Sequence, residues 1–457
     1  MERIGGEHVT ADTSIRRVAV ATLVGTTLEW YDYFIYGSLA ALAFNQLFFP
    51  TLDPLIGTLA AFVSFAAGFV VRPLGGVVAG HYGDKIGRKT MLVITLLTMG
   101  IATFAIGLLP TYATVGVWAP ILLLAMRLIQ GFGLGGEWGG AVLTAVEHAP
   151  DRRRGFYGSW PQIGVPLGLV LSTAVIFVFA GLPEEAFLSW GWRVPFLLSI
   201  VLLAVGMYVR LRIEETPVFQ EVKESGTEAR APFVDAIRSH PKNTLLATGA
   251  RFSESVTFNV YNAFLLTYAT QQLQLDTNTV LVGLLAAGIL GVFVVPATGA
   301  LSDRVGRRPV YMGAAAFAGL FAFPSFWLVD TGMAPLIWLV TVLMWGVAAC
   351  AMYGPQASFF SELFDPRSRY SGISAVYQIG VLPSGAIAPA VATALLAWSG
   401  SSWPVAAYVA VIALVSVVSL YFAPETYRTN IFGKQEHERE GHELQERKMS
   451  NPEGQET

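Results

Sequence analysis

The ten residues GHYGDKIGRK (80–89) return 219 positions later as GALSDRVGRR (299–308). Each copy follows an apolar run and precedes a new apolar run. The shared pattern is Gly-x3-Asp-[Lys/Arg]-x-Gly-Arg-[Lys/Arg], in which the glycines permit a tight bend and the aspartate is suited to cap a helix N-terminus. A repeat displaced by almost half of a 457-residue chain predicts a protein built from two related halves.

The composition is typical of a membrane protein. The chain is 54% hydrophobic and only 13% charged, with a mean hydropathy of +0.54, whereas soluble domains are about 45–50% apolar and about 25% charged. The single cysteine excludes an intrachain disulfide, and the net charge of -3 gives no sign of nucleic-acid binding. The first apolar run is about 30 residues long, which is too long for the apolar core of a signal peptide.

Apolar runs of about 20 residues or more predict twelve membrane-spanning helices. They cover residues 18–48, 55–80, 90–109, 118–146, 156–182, 191–211, 243–270, 279–301, 309–329, 334–360, 371–397 and 403–423. Six runs precede a polar stretch and six follow it, so we predict an all-α membrane protein of two six-helix bundles. The predicted parts are an N-terminus (1–17), a first bundle (18–211), a linker (212–242), a second bundle (243–423) and a disordered tail (424–457).

The charges of the loops predict the orientation. Basic residues follow every second span, whereas the loops on the other side are acidic and carry essentially no lysine or arginine. By the positive-inside rule, both termini and the linker are cytoplasmic. A second echo, between Gln162-Ile-Gly and Gln378-Ile-Gly, supports two parallel repeats in the same orientation.

Two carboxylates in the first span are expected to take part in function. Glu29 and Asp32 share a helix face, as do Tyr33 and Tyr36. A charge at the bilayer centre costs about 2.5–3.5 kcal/mol even on lenient scales, and two carboxylates close together in a low dielectric tend to share a proton. The pair is therefore predicted to be a proton-coupling site. The alternative is that each carboxylate pairs structurally with an intramembrane arginine.

Span 4 carries the segment RLIQGFGLGGEWGG (127–140), and its charged residues are further candidates for proton coupling. Neither Arg127 nor Glu137 can face lipid. The glycines let a neighbouring helix or a ligand approach the backbone closely, and helix packing alone is the alternative explanation for them.

The predicted substrate contacts are polar or aromatic residues within the spans. They are Tyr33, Tyr36, Gln130, Gln162, Arg251, Glu254, Asn262, Tyr377 and Gln378. Arg251 and Glu254 stand at i, i+3, so an internal salt bridge is the alternative for them, and interhelix hydrogen bonding is the alternative for the glutamines. Because buried arginines hold carboxylates bidentately, an organic anion is favoured over a cation, and a zwitterion stays compatible.

The repeated turns are predicted to form a conformational gate rather than a ligand site. Its members are Arg72, Gly80, Gly83, Asp84, Arg88, Gly299, Asp303 and Arg307. Positive-inside charge alone explains the basic residues, but it does not explain why aspartate and glycine recur at fixed spacing. The second copy departs from the first at Ser302, where the first has Gly83.

These segments resemble the major facilitator superfamily, whose signature lies between helices 2 and 3 with a copy between helices 8 and 9. Arg127-x2-Gln130-Gly131 is similar to its helix-4 motif, which many members link to proton coupling. More narrowly, the chain resembles the metabolite:proton symporter family in the segments GTTLEWYDYFIYG (25–37), RPLGG (72–76), GGEWGGA (135–141), GWRVPFLLS (191–199) and EETPVF (214–219). The resemblance covers about residues 15–425 and implies transport of a small metabolite with protons.

The resemblance implies a proton-driven uptake symporter for an organic acid, such as a shikimate-like carboxylate, in a bacterial inner membrane. The alternatives are a proline/betaine-type osmolyte symporter and a proton-independent uniporter or exporter. An enzyme is disfavoured because the six histidines are scattered and no HExxH motif or P-loop occurs. The expected partners are a small-molecule substrate, protons and the bilayer, without nucleic acid, metal or cofactor, and the chain is expected to work as a monomer.

Overall fold

The computed structural model describes residues 4–86, 88–135, 142–143, 145–146, 149–211, 238–364 and 369–428. For a few stretches within these ranges, chiefly 4–21 and 79–90, it describes the backbone alone. The described part of the chain is helical and contains no strand. Most of the predicted linker and the tail beyond Arg428 lie outside it, so the predicted domain boundaries there stay predictions.

The described part of the chain contains twelve long helices. In the first half they are α1 (Ile4–Leu42), α2 (Pro54–Ile86), α3 (Arg88–Leu108), α4 (Trp118–Leu134), α5 (Arg154–Ala180) and α6 (Glu184–Tyr208). In the second half they are α7 (Pro241–Asn259, extended through Val260–Phe264 and Leu265–Thr267 to Tyr268–Gln272), α8 (Thr277–Val305), α9 (Arg307–Asp330), α10 (Ala334–Glu362), α11 (Arg369–Val381, extended through Leu382–Ala386 to Ala388–Ser399) and α12 (Trp403–Phe422). The predicted fold class is confirmed.

Eight of these helices are long and apolar enough to cross a membrane, as judged over the described residues. Of the other four, α3 and α4 contain shorter apolar stretches, and α1 and α7 carry buried charged residues. A helix in a membrane bundle keeps polar residues only where it faces the protein interior. The polar helices α1 and α7 are therefore placed at the centre of the molecule.

The helix packing repeats between the halves. In the first half α1 packs on α5, α2 on α4, and α3 on α6; in the second half α7 packs on α11, α8 on α10, and α9 on α12. Between the halves, α2 contacts α11, α5 contacts α8, and α1 contacts α7. Adding six to each helix number of the first half, and subtracting six from each number of the second, turns every one of these contacts into another of them. The contact between α1 and α7 turns into itself. The pairing is that expected of a duplicated bundle.

Several helix boundaries differ from the predicted spans. The run 18–48 is divided, because α1 ends at Leu42 and a separate short helix covers Phe44–Phe48. Ala43 between them has φ -136°, outside the helical range. At the second repeated turn, Gly306 adopts φ 107°, a conformation open mainly to glycine, and this separates α8 from α9 within a single residue.

The outer surface suits lipid. Large apolar residues are exposed along the helices, including Val178, Leu320 and Val411, and in water such a surface would be a liability. Exposed tryptophans lie at one end of the bundle, at Trp118, Trp190, Trp327, Trp398 and Trp403. The opposite end carries Arg154 and Arg307 and is called the basic end below. Tryptophans at the level of the lipid headgroups are typical of membrane proteins.

Candidate functional site

A chain of hydrogen bonds links Asp32 to Arg127 inside the first half. Thr103 Oγ1 of α3 donates to Asp32 Oδ2 at 2.8 Å, and Gln130 Nε2 of α4 donates to Thr103 Oγ1 at 2.8 Å. Arg127 Nη1 then donates to Gln130 Oε1. All four side chains are buried. This set, named the coupling chain, thus connects a carboxylate on α1 to a cation on α4 through two neutral groups.

Arg127 is held in place by aromatic rings as well as by Gln130. Its guanidinium carbon lies 4.5 Å from the centroid of the Tyr36 ring and 4.6 Å from that of Phe65. Its Nε donates to the Phe65 carbonyl at 3.3 Å, and the Tyr36 hydroxyl pairs with Ser64 Oγ at 2.7 Å. Cation–π contacts of this kind stabilise a desolvated arginine by about 2 kcal/mol. Tyr36, a predicted substrate contact, therefore lies against Arg127, a predicted proton-coupling residue.

Close glycine packing brings α2 against α4. A Cβ atom on Gly131 would collide with the backbone of Gly68, and one on Gly135 would collide with the Arg72 carbonyl. These glycines therefore serve the approach of two helices, which is the packing alternative considered for them from the sequence.

Tyr33 forms the central contact between the two halves. Its hydroxyl donates to Asn259 Oδ1 of α7 at 2.6 Å. Its ring packs edge-on against Phe65 and Phe69, with centroids 5.0 and 5.7 Å away. Tyr33 follows Asp32 directly in the chain. The cross-half contact and the buried carboxylate are thus neighbours on one helix turn.

The second half contains a network centred on Gln356 of α10. Arg251 Nη1 donates to Gln356 Oε1 at 3.1 Å, and Gln356 Nε2 lies 3.2 Å from Glu254 Oε2 and 2.8 Å from the Tyr311 hydroxyl. Arg251 Nη1 and Glu254 Oε2 are 3.7 Å apart. The internal ion pair considered from the sequence is therefore present, with Gln356 bridging it. The Arg251 guanidinium also stacks on Tyr377 of α11, 3.7 Å from the ring centroid.

Arg72 lies with this central group of residues. It is 4% exposed, and its guanidinium carbon is 4.2 Å from the centroid of the Phe69 ring. Its charge lies within electrostatic range of Glu29, Tyr33, Tyr377, Arg127 and Arg251. Its position in the bundle is thus in the layer of Tyr33 and Tyr377. The name inter-half cluster is used below for Tyr33, Arg72, Arg251, Asn259 and Tyr377.

The two repeated glutamines make equivalent contacts between the halves. Gln162 Nε2 of α5 donates to the Tyr353 carbonyl of α10 at 2.8 Å, and Gln378 Nε2 of α11 donates to the Gly135 carbonyl after α4 at 3.0 Å. The amide oxygen Oε1 of each glutamine is buried with no hydrogen-bond donor among the described residues, and so is Asn262 Oδ1. The glutamines therefore join helices, and each retains a free acceptor.

The second repeated turn connects the halves at the basic end. Asp303 accepts hydrogen bonds from the backbone amides of Gly155 at 2.8 Å and Phe156 at 2.9 Å, at the start of α5. Gly299 lies against Gly155 so closely that a Cβ on either would meet the carbonyl of the other. The predicted gate residues Asp303 and Gly299 thus contact the other half directly.

Arg307 connects this turn to the end of α10. Its guanidinium pairs with Asp303 Oδ1 at 2.7 Å and with Glu362 Oε1 at 3.0 Å. Thr426, beyond α12, donates to Glu362 Oε2 at 2.7 Å, and Glu425 accepts from the Arg307 amide at 2.9 Å. Neither Glu425 nor Thr426 was predicted from the sequence. The glutamate after span 10 repeats the one after span 4, which is the signal that marks Glu362.

The halves also meet at the opposite end, where Gln271 Nε2 of α7 donates to Thr58 Oγ1 of α2 at 2.9 Å. Contacts at both ends, with Tyr33 and Asn259 between them, describe an arrangement that is closed on both sides over the described residues. Glu137 lies outside the described residues. For Gly80, Gly83, Asp84 and Arg88 the structure describes the backbone alone. Their predicted roles stay predictions.

Known proteins support this architecture over nearly the whole chain. The family model of the Major Facilitator Superfamily matches residues 22–382. The chain is 40% identical to the shikimate transporter of Escherichia coli K12, over 90% of this chain and 95% of that protein. It is 36% identical to the proline/betaine transporter of Salmonella typhimurium, over 93% of this chain and 86% of that protein. A third relative, 38% identical over 92% of this chain and 96% of its own length, is the inner membrane metabolite transport protein YhjE of Escherichia coli K12.

Solved structures show the same fold. The crystal structure of a D-xylose-proton symporter superposes with a TM-score of 0.69 at 19% identity, over 90% of this chain and 98% of that one. The expectation of a multi-pass transporter of the bacterial inner membrane, and not an enzyme, is confirmed by these relatives. The chain belongs to the Major Facilitator Superfamily.

Proposed function

We propose that this transporter takes up a small organic acid together with protons by alternating access. One observation carries the proposal: the buried carboxylate of Asp32 is hydrogen-bonded to Thr103, and the next residue, Tyr33, forms the central contact between the halves. Protonation of Asp32 removes a buried charge one residue away from that contact. A change of charge at this place is suited to alter the balance between open and closed arrangements.

The coupling chain supports a role for Asp32 in proton binding. The carboxylate is linked to Arg127 through Thr103 and Gln130 rather than by a direct ion pair among the described residues. A carboxylate locked to an arginine holds its negative charge, whereas one bonded to a hydroxyl gains and loses a proton more readily. Glu29, buried one turn earlier on α1, is the second candidate for the proton.

The charges of the inter-half cluster favour an organic anion. Arg72 and Arg251 lie in it, and the amide oxygens of Gln162, Gln378 and Asn262, which have no donor in the described part of the chain, suit hydroxyl groups of a substrate. One of the relatives is named a shikimate transporter, and shikimate is a hydroxylated carboxylate. We therefore propose a hydroxylated carboxylate as substrate, with the proline/betaine type as the second candidate because relatives of that name are 35–38% identical.

Alternating access follows from the pattern of contacts. Opening toward the outside separates α1 from α7 and α2 from α11 at the tryptophan-bearing end, and opening toward the inside separates α5 from α8 at the basic end. We propose that the basic end is cytoplasmic, as its charge predicts. The chain is proposed to work as a monomer, driven by the proton gradient without a cofactor.

Uptake in proteoliposomes tests the proposal. Full-length protein is reconstituted, radiolabelled shikimate is added outside, and uptake is followed with and without an inward proton gradient. We expect accumulation only with the gradient, and loss of accumulation in Asp32→Asn with shikimate counterflow retained. Asp53→Asn, which changes an exposed loop carboxylate, is the matched control and should accumulate normally.

Two results would contradict the proposal. Shikimate accumulation that survives collapse of the proton gradient would exclude proton coupling. Gradient-driven uptake of proline or betaine without uptake of shikimate would replace the substrate and leave the proton mechanism in place.

A further inference from the structure

Among the residues that the structure describes, none accepts a hydrogen bond from the buried cation Arg72. Its Nε is buried without a partner among them. The contact that holds it is the Phe69 ring, which neutralises no charge. A guanidinium offers five N–H donors, and buried donors in proteins are almost always paired. The buried Nε of Arg72 therefore lacks an acceptor among the described residues, and a bound anion would supply one.

Arg251, in the other half, offers a further donor that has no acceptor in the described part of the chain. Its Nη1 is used by Gln356 and Glu254, but its Nε is buried without a partner among the described residues. Its guanidinium carbon lies 3.7 Å from the centroid of the Tyr377 ring, and Gly380 of α11 packs against the side chain. The arginine is thus fixed in orientation, as a preformed binding group requires.

The two arginines are brought together by residues of both halves. Arg72 interacts electrostatically with Arg251 and with Tyr377, the ring on which Arg251 stacks. Arg72 is also linked through Phe69 to Tyr33, which is hydrogen-bonded to Asn259, two turns after Arg251 on α7. Like charges repel when they are buried near one another. An anion between them would remove this cost and supply the missing acceptors.

We propose that Arg72 and Arg251 jointly bind the carboxylate of the substrate, one arginine from each half. The inference deepens the proposed function and rests on it. A carboxylate has two oxygens and about four acceptor positions, so it is able to engage two guanidinium groups at once. An anion held in this way ties the two halves together and thereby favours the closed arrangement.

The proposal fits both candidate types of substrate for this chain. Shikimate, proline and betaine, the substrates in the names of the relatives, differ in shape and in total charge. Each of them carries one carboxylate. The arginine pair would recognise that common group, and the residues around it would select the rest of the molecule.

Glu29 has a defined place in this arrangement. It interacts electrostatically with Arg72 and is the acidic residue that does so among the described groups. Without substrate, its charge partly compensates that of the arginine. When the substrate carboxylate arrives, Glu29 becomes a competing anion, and a proton on Glu29 would remove the competition.

Binding measurements on the purified full-length protein test the joint binding of a carboxylate by Arg72 and Arg251, named the clasp, separately from transport. Calorimetry compares three carboxylates with partner compounds that lack the carboxylate: shikimate with methyl shikimate, proline with prolinamide, and betaine with choline. We expect at least one acid to bind, and its partner compound to bind at least tenfold more weakly. Arg72→Gln and Arg251→Gln should each weaken binding of that acid by about 10- to 100-fold and leave the partner compound unaffected.

Two further sets of variants keep the result interpretable. Arg193→Gln removes an arginine that stacks on Trp192 and donates to the Gly107 carbonyl, away from the cluster, and it should bind the acid normally. Arg72→Lys and Arg251→Lys preserve the charge, and they serve if a glutamine variant does not fold. They should recover only part of the affinity, because an ammonium lacks the planar fork of a guanidinium.

Each of the opposite results would overturn a stated part of the proposal. Unchanged acid binding in both glutamine variants, or an equal loss for the acid and its partner compound, would overturn the clasp and leave the proposed function intact. Failure of the folded wild-type protein to bind any of the three acids would overturn both the clasp and the organic-acid function.

Discussion

Tyr33 and Asn259 are joined by a hydrogen bond of 2.6 Å that connects the first half of the molecule to the second at its centre. The tyrosine lies on α1 directly after Asp32, and the asparagine is the last residue before a π-helical turn of α7, Val260–Phe264. π-Helical turns often occur at functional sites, because they displace side chains from the regular helical positions. The residue proposed to bind the proton and the residue that contacts the other half are therefore adjacent in the chain.

Replacing Tyr33 with phenylalanine should weaken the closed arrangement. Asn259 Oδ1 would lose its donor, and an unpaired buried acceptor costs about 1–3 kcal/mol. Distances between spin labels on α1 and α7 should shift toward a separated population. Tyr31→Phe is the control, since the Tyr31 hydroxyl donates to the Pro195 carbonyl within the same half. An unchanged distance distribution in Tyr33→Phe would show that this bond does not hold the halves together.

Replacing Thr103 with valine should uncouple Asp32 from Gln130. The change preserves the shape of the side chain but removes the hydroxyl that donates to Asp32 and accepts from Gln130. A hydrogen bond to a charged group contributes about 1.5–3 kcal/mol, so proton-driven uptake should fall roughly 10- to 100-fold. Counterflow, which needs no net proton movement, should be retained.

Thr98→Val is the control for that experiment. Thr98 lies on the same helix, α3, and its hydroxyl donates to the Ile94 carbonyl one turn earlier. Uptake should stay normal in this variant. If both threonine variants lost uptake equally, the effect would belong to the helix rather than to the coupling chain.

The spans were predictable because each depends on a local run of apolar residues, and the positions of the two turns followed from a visible repeat. The partners of the site residues were not. Tyr33 and Asn259 are 226 residues apart, and no local pattern determines which residues of two helices meet. Thr103 and Gln356 each complete a network, yet as single neutral residues in apolar helices they give no signal in the sequence.

Arg72 illustrates a second limit of the sequence. Its position near a repeated turn associated it with the gate, but helix packing places it beside Phe69 and in the layer of Tyr377. The direction in which a side chain points depends on the close contact of α2 with α4 at Gly68 and Gly131. Such contacts depend on the whole bundle.

Replacing Glu362 with glutamine should destabilise the protein strongly. Glu362 is buried and pairs with the Arg307 guanidinium through both oxygens, at 3.0 and 3.2 Å. Removing one partner of a buried ion pair costs about 3–5 kcal/mol, and because Arg307 keeps its pair with Asp303 Oδ1, the loss should lie at the lower end of that range. The unfolding midpoint in detergent should fall clearly. Glu425→Gln, which changes a residue that caps backbone amides of α9, should lower it much less, by an amount matching about 1 kcal/mol.

Replacing Gly299 with alanine should block closure at the basic end without unfolding either half. The added Cβ would lie against the Gly155 carbonyl and Ser159, so α5 and α8 would be forced apart where Asp303 accepts from the Gly155 amide. Transport requires this end to close in each cycle, so uptake and counterflow should both be lost, and cysteine pairs introduced across α5 and α8 should no longer cross-link. Gly313→Ala is the matched control, because nothing lies within 4 Å of a Cβ at that position. Normal uptake in Gly299→Ala would mean that close contact between these two glycines is not needed for the transport cycle.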